Sequence, residues 1–333
     1  MQRNIILLLI IAATFLSCKK QPVESIKLKG LAQGTYYSII YYDSLQRDFS
    51  IAVDSLLDEF NLTASTYHKS SIVSKINRNE PTELNDIFID IFVEAQNIAK
   101  ETDGDFDITV KPLVNMWGFG GKKPQQVDQF KIDSILQFVG YEKVKLIDNR
   151  IEKDDDRLQL DYNSIAQGYS ADWIARFFEL KGIKNYLIDV GGEVLGKGTK
   201  PNNSQWMVGI ELPAENKTAS RQLISKVKLL NRALATSGSY RKYYEKDGKR
   251  YSHTLNPHTG YPAQHKLLSV SILADDCCSA DAYATACMSM GFEKAKKFVE
   301  QSPQLEAYFI VADSSQERYM TYATKGLKLI MSE

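Results

Sequence analysis

The order of strand-like and helix-like segments is the feature of this sequence that most limits its fold. An aromatic and β-branched run, Thr35 to Tyr42, predicts a strand. Apolar residues at helical spacing predict one amphipathic helix through Val53 and Phe60 and another through Ile87 and Ile98. Strands and helices do not alternate regularly along the chain, as they would in a doubly wound parallel sheet. We therefore predict an α+β fold with mixed or antiparallel sheets and packed helices.

Most of the predicted strands lie in the second half of the chain. The apolar run from Tyr186 to Gly198 is broken by a Gly-Gly pair and predicts two strands around a tight turn. Asp247-Gly248, between tyrosine-rich arms, predicts a hairpin, and "KVKLID" and "RLQLDY" predict another hairpin around an acidic turn. The segment Ala171 to Leu180 predicts a helix that buries its aromatic residues. Because no internal repeat or proline-rich linker follows the first thirty residues, we predict a single domain over residues 31–333.

The N-terminus carries an apolar leader. Its apolar run, Ile5 to Leu16, is shorter than the roughly 20 residues of a typical membrane span, so residues 1–17 predict a signal peptide. Leu16-Ser17-Cys18 resembles a bacterial lipobox, in which Cys18 is lipidated and becomes the first mature residue; the alternative is an ordinary secretory leader with an incidental cysteine. Residues 18–30 then form a tether whose two lysines can meet anionic headgroups. The prediction is a globular domain held at a membrane surface outside the cytoplasm.

Charge and cysteine content exclude several classes of protein. Forty-one basic residues balance forty-one acidic ones, for a formal net charge of +0, so no global field favours nucleic acid. After Cys18, the remaining cysteines are Cys277, Cys278 and Cys287, an odd number that does not form a disulfide framework. Their spacing also does not match a zinc site. We therefore predict no nucleic-acid partner, no functional disulfide and no zinc.

Two segments contain polar residues that packing alone does not require. In "GDFDITVKPLVNMWGFG", Asp105 and Asp107 flank Phe106 ahead of a glycine-rich aromatic stretch. This segment is either a loop with solvated aspartates or part of a pocket for a flat heteroaromatic ring. In "DYNSIAQGYSADW", Gly168 stands just before the predicted helix, where main-chain amides suit phosphate, although a single glycine is a weak signal.

A third segment, "HTLNPHTGYP", places His253 and His258 in a loop rich in proline and glycine. Two histidines this close together suit a metal pair, and a loop that merely tolerates histidine is the competing interpretation. The residues alone leave both open.

The segment "CCSADAYATACMSMG" predicts a buried helix that carries a carboxylate and a hydroxyl on one face. Ser279 is a plausible N-cap, which would start the helix near Ala280 and place Asp281 in the first turn, where the helix dipole favours a carboxylate. Thr285 follows at i+4, so its hydroxyl lies beside that carboxylate. Capping explains Asp281 alone, whereas a Mg²⁺ site that also receives phosphates explains both residues.

Taken in order, six motifs resemble those of the ApbE family of bacterial flavin transferases. The match runs from about Gln33 to Gly291 and implies a single ApbE-like, T-fold-related catalytic domain. The motifs are "GDFDITVKPLVNMWGFG", "IAQGYSAD", "YLIDVGGEV", "ATSGSYRKYY", "HTLNPHTGYP" and "SADAYATA".

The resemblance implies roles for particular residues of this chain. The Mg²⁺ ligands that it implies are Asp281, Thr285 and a main-chain oxygen of Ala166, with Ala284 at the same site. It also implies contacts to FAD from residues spread along the chain. These are Gln33, Tyr67, Asp105, Phe106, Asp107, Asn163, Tyr169 and His253. His253 and Asp281 are the catalytic candidates, with His253 as general base or as a group that stabilises the leaving phosphate.

Three positions depart from the family pattern. Gln33 stands where the family usually has methionine, and Gln167 stands where the family commonly has a lysine that can contact phosphate. Asn256 replaces an aspartate that often opens the D-P-x-T-G motif. None of these departures affects Asp281 or Thr285.

The function implied by the resemblance is Mg²⁺-dependent transfer of FMN from FAD to a Thr or Ser hydroxyl of a target protein, with release of AMP. One alternative is a Mg²⁺-dependent FAD pyrophosphatase that gives FMN and AMP, and another is a non-catalytic flavin-binding lipoprotein. The expected acceptor is a membrane redox-complex subunit or a secreted flavoprotein. The expected location is the periplasmic side of the inner membrane, through lipidated Cys18.

Overall fold

The computed structural model of the chain describes residues 23–119, 127–212, 222–239, 243–246, 249–252, 254–313 and 319–332. The strands, in chain order, are β1 (Ser25–Ala32), β2 (Thr35–Tyr42), β3 (Val144–Ile147), β4 (Arg150–Lys153), β5 (Tyr186–Val190), β6 (Glu193–Lys197), β7 (Trp206–Glu211), β8 (Leu223–Leu229), β9 (Arg232–Gly238), β10 (Tyr243–Lys246), β11 (Lys249–Ser252), β12 (Leu267–Ala274), β13 (Glu306–Ala312), β14 (Tyr319–Ala323) and β15 (Met331–Ser332).

The α-helices connect these strands at irregular intervals. They are α1 (Ser50–Ala64), α2 (Ile72–Asn77), α3 (Asp86–Glu101), α4 (Lys111–Trp117), α5 (Gln129–Leu136), α6 (Ala166–Leu180), α7 (Cys277–Met290), α8 (Phe292–Gln301) and α9 (Lys325–Ile330). The elements confirm the predicted α+β class.

One large antiparallel sheet organises the fold. Its order is β1-β2-β5-β6-β9-β12-β13-β14, and each neighbouring pair runs antiparallel. A smaller antiparallel sheet has the order β15-β8-β7, and β3-β4 and β10-β11 form separate hairpins. The sheets thus follow the antiparallel part of the prediction.

The large sheet is covered on both of its faces. Strand β12 shows this, because successive side chains of a strand point to opposite faces of a sheet. In β12, Ile272 belongs to the main core, which contains residues of α1, α3, α6 and α7. Its neighbour Leu273 belongs to a second cluster with Trp206 of β7 and Val227 of β8. A third cluster joins α4 and α5 to the segment around Leu255. The helices α6 and α7 therefore lie together on one face of the sheet.

Several local predictions are confirmed. Helix α1 buries Val53 and Phe60, and α3 buries Ile87 and Ile98. Strand β2 has the predicted bounds. Two strands flank the Gly-Gly pair, whose members have φ values of 70° and 113° that favour glycine. Lys246 pairs with Lys249 in the predicted hairpin; its turn, Asp247-Gly248, lies outside the described residues.

Two local predictions are wrong. The hairpin in the middle of the chain pairs β3 with β4, so "RLQLDY" is not its second arm. Its turn is Asp148-Asn149, whose φ values of 48° and 56° suit a tight two-residue connection. Helix α6 begins at Ala166 rather than Ala171, and it leaves Trp173 and Phe177 only partly buried.

Across the parts of the chain covered by the structure, none of the helices combines the length and the apolar character that a membrane crossing requires.

Candidate active site

The first turn of α6 lies directly against the N-terminal half of α7. A Cβ atom added at Gly168 would lie 2.2 Å from the carbonyl oxygen of Cys277 and 2.8 Å from Cβ of Asp281. Because carbon atoms cannot approach that closely without displacement, the helices can make this contact only with glycine here. The contact lets the Gly168 N–H donate a hydrogen bond of 3.1 Å to Oδ2 of Asp281. A buried carboxylate is thereby fixed at the start of the opposite helix.

The start of α7 differs from the prediction. The helix begins at Cys277, and the N-cap is Asp276, whose carboxylate accepts the Ser279 N–H at 2.7 Å. The predicted cap at Ser279 is wrong, because Asp276 already lies at the start of the helix, two residues after the end of β12, and aspartate caps a helix as well as serine does. Asp281 therefore lies in the second turn, beyond the turn where the dipole favours a carboxylate most. Capping no longer explains Asp281.

Thr285, one turn after Asp281, faces oxygen atoms from two other elements. Its Oγ1 lies 3.3 Å from Oγ of Ser237 in β9. The same Oγ1 lies 3.5 Å from the main-chain carbonyl oxygen of Ser164, just before α6. The sheet, α7 and the segment leading into α6 thus bring oxygen atoms together at this point.

The turn between β1 and β2 adds Gln33 to this region. Gln33 has a φ of 52°, a left-handed conformation that is uncommon for a residue with a side chain. Its Nε2 donates to Oγ of Ser170 and lies 3.5 Å from the carbonyl oxygen of Ala166. Its Oε1 is buried and has no hydrogen-bond partner within the described part of the chain. Gln33 therefore packs its amide against the first turn of α6.

Ala166 and Ala284 are both buried and have no polar side-chain atoms. Any contribution of either residue to a bound cation would therefore come from a main-chain oxygen.

The predicted flavin-contacting segment from Asp105 to Asp107 begins with a buried ionic cluster. Asp105 is 3% exposed, its carboxylate contacts the Lys294 ammonium, and Oδ1 lies 3.7 Å from Nε2 of His258. The adjacent Phe106 is 1% exposed. In this structure the Phe106 ring belongs to the core.

Asp107 is also buried, and its carboxylate is bound within its own loop. Its Oδ1 accepts the main-chain N–H and the hydroxyl of Thr109, both at 2.7 Å. Burial raises the pKa of Asp107 to about 6, although these hydrogen bonds act in the opposite direction. The local hydrogen bonds give Asp107 a role in shaping the loop before α4.

Tyr67 and Asn163 are exposed and lie on segments that a buried ion pair connects. Tyr67 is 65% exposed. The main-chain N–H of Asn163 donates to Oδ1 of Asp161 at 3.0 Å, and Oδ2 of Asp161 accepts a 3.0 Å bond from Nζ of Lys111. These two predicted flavin contacts are therefore accessible, unlike Phe106.

Tyr169 lies on a different face of α6 from Gly168. It is 2% exposed, its ring stacks on Phe60 at a centroid distance of 5.6 Å, and its hydroxyl lies 3.5 Å from Oδ2 of Asp90. Burial raises the pKa of this hydroxyl above its ordinary value. The structure thus turns Tyr169 toward α1 and α3 and does not bring it together with Asp281.

The loop after β11 retains its turn despite the departure at Asn256. Oδ1 of Asn256 accepts the main-chain N–H groups of His258 and Thr259, each at 3.0 Å. These are the bonds that an aspartate would accept at the same position. Nε1 of Trp117 donates to the carbonyl oxygen of Gly260 at 2.8 Å, so the buried Trp117 anchors this loop.

Two predicted residues fall outside the described part of the chain. His253 is the predicted base and Cys18 is the predicted lipidation site. Both assignments stay predictions.

The donors around Asp281 and Thr285 are all hard oxygen atoms. They comprise the carboxylate of Asp281, the hydroxyls of Thr285 and Ser237, and the main-chain carbonyl of Ser164. The family resemblance adds the main-chain oxygen of Ala166, which in this structure lies 3.5 Å from Nε2 of Gln33. Among the described residues, no group of three or more His, Cys, Asp or Glu side chains could hold a metal ion. A donor set with one carboxylate suits Mg²⁺, which keeps waters and phosphate oxygens in its shell, and does not suit zinc.

Sequence reasoning did not assign four residues that meet the predicted site. Ser237 lies within a motif that carries the family resemblance, whereas Ser164 contributes through its main chain and has no side-chain signal. Ser170 and Lys111 resemble ordinary helix residues in the sequence. The one available signal concerned Lys111, which stands immediately before Pro112 at the start of a short helix.

Fold and site together define an α+β protein with an oxygen-rich site between two helices. The chain belongs to the ApbE family, whose model matches residues 33–309. It is 33% identical to the FAD:protein FMN transferase of Vibrio cholerae serotype O1 over 325 residues, covering 95% of each chain. It is 34% identical to the FAD:protein FMN transferase of Escherichia coli K12 over 325 residues, covering 92% of each chain.

The solved structures agree. The flavin transferase ApbE from Vibrio cholerae superimposes with a TM-score of 0.81 at 32% identity, covering 93% of this chain and 100% of that chain. This likeness spans nearly the whole chain and confirms the family-level fold prediction.

Proposed function

We propose that this chain transfers FMN from FAD to a Thr or Ser hydroxyl of an acceptor protein, with Mg²⁺ bound and AMP released. The chain is an enzyme of the FAD:protein FMN transferase type, the name of the relatives that it matches over nearly its whole length. One observation carries the Mg²⁺ part of the proposal. Asp281 and Thr285, one turn apart on α7, meet the oxygen-rich segment that opens α6.

The chemistry of the donors fits Mg²⁺. Asp281 would supply the charged ligand, Thr285 a neutral oxygen, and Ala166 a main-chain carbonyl oxygen. When bound, Mg²⁺ would neutralise the negative charge of the FAD pyrophosphate as the leaving phosphate forms. The buried position of Asp281 strengthens its attraction for a cation relative to an exposed carboxylate.

The residues of the chain would then act by positioning. The acceptor hydroxyl oxygen forms a bond to the FMN-side phosphorus, the bond from that phosphorus to the bridging oxygen breaks, and AMP leaves with that oxygen. The hydroxyl proton must pass to a base, and His253 is the predicted one. Tyr67 and Asn163, which the family resemblance assigns to FAD, are both exposed and therefore accessible to it.

The cellular setting is also part of the proposal. The lipobox-like sequence at Cys18 supports a lipoprotein anchored on the periplasmic side of the inner membrane. The acceptor would then be exposed to the same compartment, as a subunit of a membrane redox complex or as a secreted flavoprotein.

The purified chain tests this function directly. It is incubated with FAD, MgCl₂ and a candidate acceptor protein, and two products are measured: flavin fluorescence on the denatured acceptor and free AMP. The proposal expects both, in equal amounts and only with Mg²⁺. AMP without labelled acceptor would indicate a pyrophosphatase, and bound FAD without AMP would indicate a flavin-binding protein.

A further inference from the structure

A buried ion pair lies beside the candidate site without belonging to the predicted donor set. Nζ of Lys111 lies 3.0 Å from Oδ2 of Asp161, and the two side chains are only 10% and 5% exposed. Removing two charges from water costs free energy that their attraction rarely exceeds by much. Stability alone is therefore a weak reason for this pair.

Lys111 also holds the segment that carries Tyr67. Its ammonium donates to Oγ1 of Thr66 at 3.1 Å. It lies 5.6 Å from the centroid of the Tyr67 ring, within the range of a cation–π contact. One buried cation thus fixes two successive residues of an otherwise exposed turn.

Asp161 holds the segment that carries Asn163. Its Oδ1 accepts the Asn163 N–H at 3.0 Å, and its own N–H donates to the carbonyl oxygen of Ile108 at 2.7 Å. The chain continues from this turn through Ser164 into α6. The pair therefore connects the turn before α2, the loop before α4 and the turn before α6.

We propose that Lys111 is a positioning residue for FAD. Through Asp161 and Thr66 it holds Tyr67 and Asn163 at a fixed separation, so that the two present one preformed surface to the flavin. Preformed contacts increase affinity because less motion is lost on binding. This inference rests on the proposed function, which assigns Tyr67 and Asn163 to FAD.

The test uses the full chain with both charges removed, as Lys111→Met/Asp161→Asn. Lys111→Met alone leaves a buried unpaired carboxylate and can prevent folding, whereas the added Asp161→Asn change removes that charge and keeps an acceptor for the Asn163 N–H. We expect the KM for FAD to rise roughly tenfold while kcat changes much less. An unchanged KM in a folded double variant would overturn the proposal.

A mutant cycle that includes Tyr67 separates positioning from simple stabilisation. Lys111→Met/Asp161→Asn is combined with Tyr67→Ala, and the KM for FAD is measured for all four proteins. If the pair acts through Tyr67, the effects are less than additive, because Tyr67→Ala already removes what the pair positions. Fully additive effects contradict positioning while the assignment of Tyr67 to FAD stands. No effect of Tyr67→Ala on KM overturns that assignment and this inference together.

Lys153→Met is the matched control. Nζ of Lys153 donates to the carbonyl oxygens of Ile76 and Leu158, both at 3.1 Å, in a part of the molecule that carries no predicted site residue. We expect a lower melting temperature and an unchanged KM for FAD. An equal rise in KM with Lys153→Met would show that lost stability explains the result, and would count against a positioning role for Lys111.

Discussion

Two buried aspartates join α6 and α7 in opposite directions. Asp172 of α6 accepts the N–H groups of Cys277 and Cys278, at 3.0 and 2.7 Å, where α7 begins. Asp281 of α7 accepts the N–H of Gly168, at 3.1 Å, where α6 begins. Each carboxylate thus binds the first turn of the other helix, and the two are 8% and 7% exposed.

The surroundings of the two carboxylates differ. Both carboxylate oxygens of Asp172 accept helix N–H groups, and a second carboxylate, that of Asp276, lies nearby. Burial raises the pKa of Asp172 to about 7. Asp281 lies one turn from the Thr285 hydroxyl, which faces the Ser164 carbonyl. Burial and a helix contact are therefore common to both carboxylates. They differ in their neighbours, which are a second carboxylate at Asp172 and the neutral hydroxyl and carbonyl oxygens of the proposed Mg²⁺ site at Asp281.

The largest effect should follow from Asp281→Asn. The change keeps the shape of the side chain and an acceptor for the Gly168 N–H but removes the charge that would hold Mg²⁺. We expect the rate of FMN transfer to fall about 10²–10³-fold, because a charged group that stabilises the transition state is lost. The rate is measured by flavin fluorescence on the acceptor. Asp172→Asn, the matched variant, should keep most of the activity, and equal losses would remove the distinction between the two aspartates.

Thr285→Val should have the next largest effect. The two side chains have nearly the same shape, so the variant removes the hydroxyl with little change in packing. We expect the Mg²⁺ concentration for half-maximal activity to rise about 10–100-fold, the range found when groups around a metal are altered. Thr285→Ser keeps the hydroxyl and should remain close to the parent chain. If valine has no effect on the Mg²⁺ requirement, Thr285 is not a ligand.

Gly168→Ala should loosen the helix pair on which both aspartates depend. The added Cβ would meet the Cys277 carbonyl and Cβ of Asp281. We expect a loss of about 1–3 kcal/mol in the free energy of unfolding, as for other overpacked sites. Urea denaturation measures it. A variant as stable as the parent would mean that the helices can separate without cost.

The last prediction concerns the pH dependence of stability and Asp172. Its pKa is higher in the folded chain, about 7, than the usual value of 3.8. The folded state therefore holds more protons between these values, and stability falls as pH rises from about 4 to about 7. In Asp172→Asn, the free energy of unfolding should therefore decrease less over this pH range. It is measured at several pH values for both proteins. The pKa of Asp107 is also raised by burial, so Asp107 makes stability depend on pH in the same direction. Asp107 is present in both the parent chain and Asp172→Asn, so it does not account for a difference between them. Parallel pH profiles would contradict a raised pKa at Asp172.

Much of the fold could be predicted from local patterns. Helices α1 and α3 follow from helical spacing, and β5 and β6 follow from the Gly-Gly pair, because these signals need only near neighbours. The start of α6 could not be predicted in the same way. Gly168 is a poor helix former in isolation, and its contact with the main chain of Cys277 outweighs that tendency.

The site shows the same limit. Asp281 and Thr285 could be paired from their spacing on one helix, and the family resemblance added Ala166. The hydrogen bond from Gly168 to Asp281 joins residues 113 positions apart, so no local pattern contains it. The ion pair of Lys111 with Asp161 spans 50 positions and could be found only in the folded chain.

The central claim is that the oxygen atoms around Asp281, and not those around Asp172, bind a divalent cation together with FAD. The most direct measurement is binding of Mn²⁺, a paramagnetic substitute for Mg²⁺, followed by electron paramagnetic resonance with FAD present. The parent chain and Asp172→Asn should bind Mn²⁺ with similar affinity, and Asp281→Asn should bind it much more weakly. Equal binding by Asp281→Asn and the parent chain would contradict the claim.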